Sequence, residues 1–243
     1  MTRKTRWIAG IATAVALVAA GAGFAMWQAF GGDAPPPVAL GTLSTFTATP
    51  TGTSSGTSGG LDGTWTIDAT SGSLADGSST YAGYRVQEQL SGIGANTAVG
   101  RTQNVSGSMT VEGTTITALD VTVDMTTLAS DRSQRDDQLR QRGLETDRFP
   151  TATFTLTQPI EVGSSPKDGQ TVELTAVGDL TLHGVTKQVS VPIQAQASGE
   201  RILAIASLDV ALADYNIEPP TGFLVLSIAD TGTIELHLLF QKG

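Results

Sequence analysis

The densest group of side chains that could do chemistry in this 243-residue chain lies in one segment, residues 130–154. The segment reads SDRSQRDDQLRQRGLETDRFPTATF and is dense in Asp and Arg, within a chain that has only 15% charged residues. Such side chains form ion pairs with one another or hydrogen bond to the polar end of a ligand. Asp131, Arg135, Asp136 and Arg140 are therefore candidate polar residues of a site, and internal ion pairing that fixes a helix is the alternative.

Other residue types give little support for covalent or metal chemistry. The chain has no Cys, which excludes thiolate nucleophiles, disulfides and Cys-based metal sites. His183 and His237 have no Ser or second His at the spacing of a catalytic triad or a metal site. Asp136 and Asp137 are adjacent and point in different directions on a helix. We predict no catalytic residues, no metal and no cofactor.

The charged segment is predicted to form a short helix between two strands. Ser133 and Asp136 have the spacing of a capping box, which predicts a helix over 133–142 with Gly143 in the left-handed conformation after its last turn. A Phe-Pro dipeptide then prevents further helix. Residues 151–157 alternate Thr with apolar residues, which is typical of a strand with one buried face.

Two long motifs occur in the chain in a fixed order. The first, within residues 130–154, is Ser-Asp-x-x-x-Arg-Asp-x-x-Leu-Arg followed by Phe-Pro-Thr-Ala-Thr-Phe. The second, residues 178–187, is Gly-Asp-Leu-Thr-Leu-His-Gly-Val-Thr-Lys. Both resemble signature segments of the YceI-like family, the polyisoprenoid-binding proteins with a lipocalin-like barrel. The resemblance covers about residues 63–241, and it implies a binding protein for a long apolar lipid.

Two parts of the chain depart from the pattern of that family. Gln138 stands where many relatives have His, so a proton-transfer or metal role of that His does not apply to this chain. Residues 214–220 read DYNIEPP, which differs from the Arg-x-x-Phe-Gly run often found there. The resemblance therefore assigns no ligand contacts at that end.

Strand patterns repeat through the rest of the domain, without a long helical pattern. Apolar residues alternate with mostly polar ones over 172–182, 189–197, 202–212 and 234–240. The first two runs flank His183-Gly184, which predicts a hairpin, and a change of parity near Thr117 or Ala118 predicts a bulge. Such strands form an antiparallel sheet that closes or stacks on a second sheet. With the resemblance, the predicted fold class is all-β: an antiparallel barrel of about eight strands with a short helix inserted near 133–142.

Several residues predicted to face the barrel interior are small, among them Ala195 and Ala204. Small inward side chains leave volume that a slender apolar chain fills, and bulkier residues across the barrel fill it in the alternative interpretation. The resemblance implies a polyisoprenoid as that chain. The predicted lipid-contacting residues of the cavity and its mouth are Tyr84, Val86, Met125, Leu139, Phe149, Phe154, Leu156, Ala195, Ala204 and Phe223.

The N-terminal region predicts a membrane anchor and a tether. Residues 1–6 form a basic tail predicted to stay in the cytoplasm, and residues 7–30 form an apolar run long enough to cross a bilayer as a single transmembrane helix. A signal peptide cleaved near residues 20–22, which would give a secreted protein, is the alternative. Residues 31–62 are rich in Pro, Gly, Ser and Thr and are predicted to be a flexible linker to an extracytoplasmic barrel domain, residues 63–243.

The charge of the exported part argues against nucleic acid as a partner. Three of the 14 Lys and Arg residues precede the predicted anchor, so 11 basic residues face 23 acidic ones, a formal net charge of −12. Such a surface does not favour binding to phosphate groups. The predicted function is binding or transport of a polyisoprenoid-type lipid by a membrane-anchored barrel. The alternatives are a non-catalytic interaction module of the cell envelope and an enzyme that acts on a lipid-like substrate.

Overall fold

The computed structural model of the chain describes residues 34–40, 60–163, 168–220 and 225–243. The predicted anchor at 7–30, and the predicted linker apart from residues 34–40 and 60–62, lie outside these ranges. The strands of the described part are β1 (Gly63–Ile67), β2 (Tyr81–Leu90), β3 (Gly94–Thr102), β4 (Val105–Glu112), β5 (Thr115–Asp124), β6 (Ala129–Ser130), β7 (Thr151–Leu156), β8 (Ile160–Glu161), β9 (Thr171–Leu182), β10 (Val185–Ser198), β11 (Arg201–Ala211) and β12 (Val225–Lys242).

Eight of these strands form a closed antiparallel ring in the order β1-β4-β5-β7-β9-β10-β11-β12, and β12 pairs again with β1. Closure depends on the length of β12. Its last residues pair with β1, where Trp65 lies opposite Lys242, whereas its middle pairs with β2, where Ile234 lies opposite Tyr84. The part of β12 that does not pair with β1 thus continues the sheet through β2, β3 and β6. The predicted barrel with a short inserted helix is confirmed.

Two local features predicted from the strand patterns are confirmed. Leu182 pairs with Val185 across His183-Gly184, where both central residues have positive φ, as a two-residue hairpin turn requires. In the β4–β5 ladder, Thr110 pairs with Ala118 but Val111 pairs with Ile116, which leaves Thr117 as the extra residue of a bulge. The bulge moves Ile116 and Leu119 to the same buried side although their sequence positions differ in parity.

The inserted helix spans the predicted residues, but its ends differ from the prediction. Helix α1 covers Ser133–Gln138 and continues as a wider turn over Leu139–Gly143. The capping box is wrong: Arg132 occupies the N-cap, and the Asp136 carboxylate accepts from the Ser130 N–H at 2.9 Å instead. The left-handed residue is Glu145, not Gly143. Short 3₁₀ turns cover Met125–Thr127 and Leu212–Tyr215.

The outer face of β11 and β12 is buried at one end beneath the loop that joins β1 to β2. Leu203 and Leu239 are fully buried although they point away from the barrel interior. The Asp68 N–H donates to Leu239 O at 2.7 Å, and the Leu239 N–H donates to Thr80 Oγ1 at 3.1 Å. The loop therefore forms a second layer outside the barrel wall. No helix in the described ranges combines the length and the apolar composition that crossing a bilayer requires.

Candidate functional site

The interior of the barrel contains two apolar cavities of about 120 Å³ and about 160 Å³. Each is comparable to an engineered apolar cavity of about 150 Å³ that stays dry and admits benzene. The first lies among Val111, Ile116, Ala197, Ile202 and Phe240, toward the end where β1 closes the ring. The second extends to the other end, next to the residues after α1. The residues that line both cavities are Val121, Phe154, Leu180, Ile234 and Leu236.

Strand alternation places these side chains inside. In β9 the even-numbered residues Ala176, Leu180 and Leu182 are buried, and in β10 the odd-numbered residues Val191 and Ala195 are buried. Because successive side chains of a strand point to opposite faces, every second residue lines the cavity. The predicted small inward residues do meet: Ala195 lies directly opposite Ala204 in the β10–β11 ladder, and both line the first cavity. Two methyl groups at this position leave the volume between them unfilled.

The Phe154 ring lies at the boundary of the two cavities, together with the four other residues that line both. Gly178 on the neighbouring β9 gives the ring its place, because a Cβ at Gly178 would lie only 2.4 Å from Cζ of Phe154. A side chain at this position would push the ring toward the opposite wall. Strand alternation predicts that Gly178 faces the interior, but only the register of β7 and β9, in which it lies opposite Leu156, brings it next to the Phe154 ring. The position of the Phe154 ring at this boundary therefore depends on the absence of a side chain at Gly178.

The end of the second cavity is formed by the turn after α1 and by the chain before β12. Leu139, Gly143 and Leu144 line it from one side, and Pro219 and Pro220 line it from the other. A Cβ at Gly143 would lie 3.0 Å from Leu139 Cδ2 and 3.4 Å from Pro220 Cδ, so Gly143 permits a close approach of the two segments. Gly143, Pro219 and Pro220 were not among the predicted cavity residues, because their approach is not local in sequence.

Tyr84 brings one polar atom to the wall of the second cavity. Its hydroxyl is buried and has no hydrogen-bond partner among the described residues. Burial raises the pKa of this hydroxyl far above its ordinary value, and the nearby Arg135 only partly opposes the shift. The side chain also lines a small pocket together with Asp136 and Arg140. A neutral phenol that lacks a partner is available to donate to an acceptor on a ligand.

The charged residues predicted from the first motif brace α1 on the barrel. Arg135 Nη2 donates to Glu88 Oε1 of β2 at 2.7 Å, and its Nη1 donates to Asp131. Burial opposes the charge of Arg135, but Glu88 and Asp131 outweigh it and raise the pKa of the guanidinium. Among the described residues, Arg140 forms an ion pair with Asp137 of the same helix, at 3.0 Å. Ion pairing within the segment and to β2 thus accounts for these side chains.

Seven of the ten predicted lipid-contacting residues line the cavities: Tyr84, Val86, Met125, Leu139, Phe154, Ala195 and Ala204. Phe149 lies elsewhere, with its ring centroid 4.3 Å from that of His183. Leu156 packs against the apolar core without lining either cavity. Phe223 lies outside the described residues.

Both His residues have backbone carbonyls as partners, and His183 Nε2 also lies 3.3 Å from Glu145 Oε2. His183 Nδ1 lies 3.0 Å from Tyr215 O, and His237 Nδ1 lies 2.8 Å from Ser79 O. The described part of the chain contains no group of three or more His, Asp or Glu side chains placed to hold a metal ion. Both imidazoles bond to backbone carbonyls of other segments, which is a structural use.

Comparisons with known proteins agree with this geometry. A family model described as the YceI-like domain matches residues 65–240. A UPF0312 protein of Vibrio vulnificus is 31% identical over 159 residues, which cover 62% of this chain and 77% of that protein. The protein YceI of Shigella flexneri is 30% identical over 156 residues, which cover 60% of this chain and 75% of the relative.

Solved structures share the fold at lower identity. A polyisoprenoid-binding domain from Saccharophagus degradans, implicated in plant cell wall breakdown, is similar with a TM-score of 0.56 and 17% identity, over 74% of this chain and 98% of that one. BcnA of Burkholderia cenocepacia is similar with a TM-score of 0.53 and 17% identity, over 71% of this chain and 98% of that one. At this identity the likeness establishes the barrel fold alone.

Proposed function

The chain belongs to the YceI-like family, and we propose that it binds one long apolar lipid of the polyisoprenoid type inside its barrel. The observation that carries the proposal is the pair of apolar cavities that meet at Phe154 and run along the barrel. An empty apolar cavity is unfavourable because its walls lose contacts, so a hydrocarbon that fills it stabilises the fold. The name of the Saccharophagus degradans domain supports a polyisoprenoid as the ligand class.

The energetics of such a complex need no strong polar contact. Burial of a CH₂ group contributes about 0.8 kcal/mol, so ten buried carbons contribute about 8 kcal/mol, which corresponds to a micromolar dissociation constant. A polyisoprenoid is slender, and its methyl branches fit beside small wall residues such as Ala195 and Ala204. A rotation of the Phe154 side chain, for which the missing side chain of Gly178 leaves room, would let the lipid chain pass from one cavity to the other.

Tyr84 gives the second cavity a polar end. A lipid with an acceptor oxygen at its head would take the hydrogen bond that the Tyr84 hydroxyl lacks within the described residues. Arg140 and Asp136, which border the adjacent small pocket, lie next to that head. The apolar tail would then extend past Phe154 into the first cavity.

The protein acts in this proposal as a binding or transport protein without covalent chemistry of its own. Export and membrane anchoring through residues 7–30 are part of the proposal and follow from the apolar run and the basic residues before it. A barrel tethered outside the cytoplasm suits a ligand that partitions into bilayers.

Mass spectrometry of the full chain tests the proposal. The protein is purified in mild detergent from the membranes of its own host, and the intact complex and its organic extract are both analysed. We expect a stoichiometric apolar adduct whose extracted mass fits a polyprenyl compound. Protein that is reproducibly empty, or that carries only the phospholipids of the surrounding membrane, would contradict the proposal.

Two variants locate the ligand. Ala204→Trp fills the first cavity and should remove the adduct, whereas Ser190→Trp adds the same indole to the exposed face of the adjoining strand β10 and should retain it. Circular dichroism and thermal unfolding check that both variants are folded. If Ala204→Trp destabilises the barrel, Ala204→Leu offers a smaller obstruction. A folded Ala204→Trp protein that still holds its full lipid would place the ligand outside the barrel.

A further inference from the structure

The outer face of β3, β2 and β12 carries a buried charge cluster that the lipid cavity does not use. The Glu235 carboxylate is 1% exposed and lies between two arginines. Arg85 Nε donates to Glu235 Oε1 at 3.0 Å, and Arg101 Nη2 donates to Oε2 at 3.4 Å. We refer to Arg85, Glu235 and Arg101 as the arginine clamp. The Glu235 side chain points away from the cavities, because its sequence neighbours Ile234 and Leu236 line them. The guanidinium groups of Arg85 and Arg101 meet it on that outer face, and Arg85 also borders the second cavity.

The geometry of the sheet prepares the clamp. Gly83 on β2 lies opposite Arg101 on β3 and opposite Glu235 on β12, so it is between the two residues. A Cβ at Gly83 would lie 2.9 Å from Cγ of Arg101. Because Gly83 has no side chain, the Arg101 side chain crosses β2 and reaches the carboxylate. The Arg101 guanidinium also lies 4.5 Å from the centroid of the Tyr81 ring, which fixes its orientation.

Three further hydrogen bonds join the clamp to the Pro-rich segment that precedes the barrel. Arg85 Nη2 donates to Pro35 O at 2.7 Å, and Arg101 Nη2 donates to Pro36 O at 3.0 Å. In return the Val38 N–H donates to Glu235 Oε1 at 3.2 Å. A run of prolines has no N–H groups, and its extended backbone leaves carbonyls free, so an arginine fork is a suitable partner.

We propose that residues 34–38 form a strap that the arginine clamp holds on the barrel wall, and that this contact fixes the barrel close to the membrane. The strap crosses from β3 over β12, and Val38 borders a groove of about 510 Å³ beside Ser207 and Pro192. The spacing part of the inference rests on the proposed membrane anchor at residues 7–30. The docking part depends on the contacts of residues 34–38 alone.

The consequence for spacing is large. Without the strap, the roughly 30 residues of the predicted linker would separate the anchor from the barrel by a root-mean-square distance of about 30 Å. With the strap docked, only residues 31–34 lie between the predicted anchor and Pro35, the first residue that the clamp contacts, and four residues span at most about 14 Å. The barrel wall at β12 and β2 would then lie against the bilayer, where a lipid ligand enters and leaves.

Val38→Pro breaks the strap without touching the barrel. The substitution removes the N–H that donates to Glu235, and Pro is compatible with the preceding extended run. Val38→Ala keeps the N–H and is the matched control. The absence of native Cys allows pairs of spin labels at Pro37→Cys and at Gln158→Cys, an exposed position beyond β7. The full chain is reconstituted in lipid nanodiscs, and the distance distribution is measured by double electron–electron resonance.

We expect one narrow distance distribution in the parent and in Val38→Ala, and a broad distribution in Val38→Pro. Arg101→Ala, which leaves the Arg85–Glu235 pair in place, should also broaden it. A broad distribution in the parent, or an equally narrow one in Val38→Pro and Arg101→Ala, would overturn the strap.

The spacing has its own readout in the same nanodiscs. Energy transfer from a dye at Gln87→Cys, an exposed position on β2, to acceptor-labelled lipid headgroups should be high in the parent and lower in Val38→Pro. Equal transfer in the two proteins would overturn the spacing. Bound lipid, measured by mass spectrometry, should be retained in Val38→Pro because the cavity lies on the other side of the wall. A parent that shows the narrow distance but carries no lipid would contradict the proposed function and leave the strap supported.

Discussion

The inner and outer faces of β12 are both largely covered, but the inner face borders cavities whereas the outer face is bonded to other segments of the chain. Toward the interior, Leu236 and Leu238 border cavities that protein atoms leave partly unfilled. Toward the outside, Glu235 and His237 are equally buried, but each has its hydrogen bonds made by another segment of the chain. The outer face of this wall is thus filled by other segments of the chain, whereas the inner face borders unfilled apolar volume.

Substitutions on the outer face should lower the free energy of unfolding more than substitutions on the inner face. Glu235→Ala leaves Arg85 and Arg101 without their counter-charge at a site that remains largely buried. We expect the free energy of unfolding to fall by about 3–5 kcal/mol, measured by denaturant unfolding. Glu173→Ala, which removes an exposed carboxylate from β9, should change it by less than about 0.5 kcal/mol. Equal effects of the two variants would contradict the importance of the clamp.

Truncation of an interior side chain should lower the free energy of unfolding by a smaller amount, and it should enlarge the cavity. Phe154→Ala removes the ring between the cavities, and we expect a loss of about 3 kcal/mol, the low end for Phe to Ala, because the ring is only partly buried. Lipid binding should persist, in contrast to Ala204→Trp. Leu156→Ala, on the same strand but outside both cavities, is the control for bound lipid. Loss of lipid in Phe154→Ala with lipid retained in Leu156→Ala would show that the ring holds the ligand.

The pH dependence of stability reports on the outer layer. Burial lowers the pKa of His237 below its ordinary 6.5, and the nearby Arg101 adds to this shift. As pH falls below about 6.5, the unfolded chain takes up a proton that the folded protein does not, so stability decreases until pH reaches the folded pKa. Thermal unfolding should therefore show a loss between pH 7 and pH 5. Asp68, whose pKa is lowered from 3.8, acts only at more acidic pH.

His237→Asn separates this effect from other titrations. The Asn amide is positioned to donate to Ser79 O in place of Nδ1, but it does not titrate, and His183 remains in both proteins. The stability loss between pH 7 and pH 5 should be smaller in His237→Asn than in the parent. An identical pH profile in both proteins would contradict the assignment to His237.

Removal of an exposed ion pair should change the free energy of unfolding least. Arg140→Ala removes a pair with Asp137 in which both side chains are well exposed, and we expect a change within about 0.5 kcal/mol. Arg135→Ala removes the pair with the buried Glu88 and should lower the free energy of unfolding by about 3 kcal/mol. Similar values for the two variants would contradict the distinction between bracing and surface charges.

The sequence was informative where neighbouring residues decide the structure. The β9–β10 hairpin, the bulge at Thr117 and the extent of the inserted helix follow from alternation and turn residues, which act over a few positions. The capping box was wrong because the Ser130 N–H, which belongs to β6, competes for the Asp136 carboxylate. Local spacing cannot show a competitor that another element supplies.

The residues of the candidate site were predictable from the sequence to about the same extent as the local features of the fold. Inward-facing residues such as Ala195 and Phe154 were identified because strand period fixes the face on which they lie. Phe149 lies outside the two cavities, with its ring against that of His183, and its contact with a lipid stays a prediction. The cavity contributions of Gly143 and Pro220 depend on a close approach of segments about 80 residues apart, which no periodicity reveals.

The sequence by itself determined the family, the alternation that makes one face of each strand apolar, and the predicted anchor before the barrel. Only the tertiary structure decided that β12 pairs with both β1 and β2, that Phe154 lies at the boundary of the two cavities, and that residues 34–38 lie on the arginine clamp. The physical reason is the range of the interactions. Backbone geometry and side-chain period are local, whereas ring closure, cavity volume and charge burial arise from residues that the fold alone brings together.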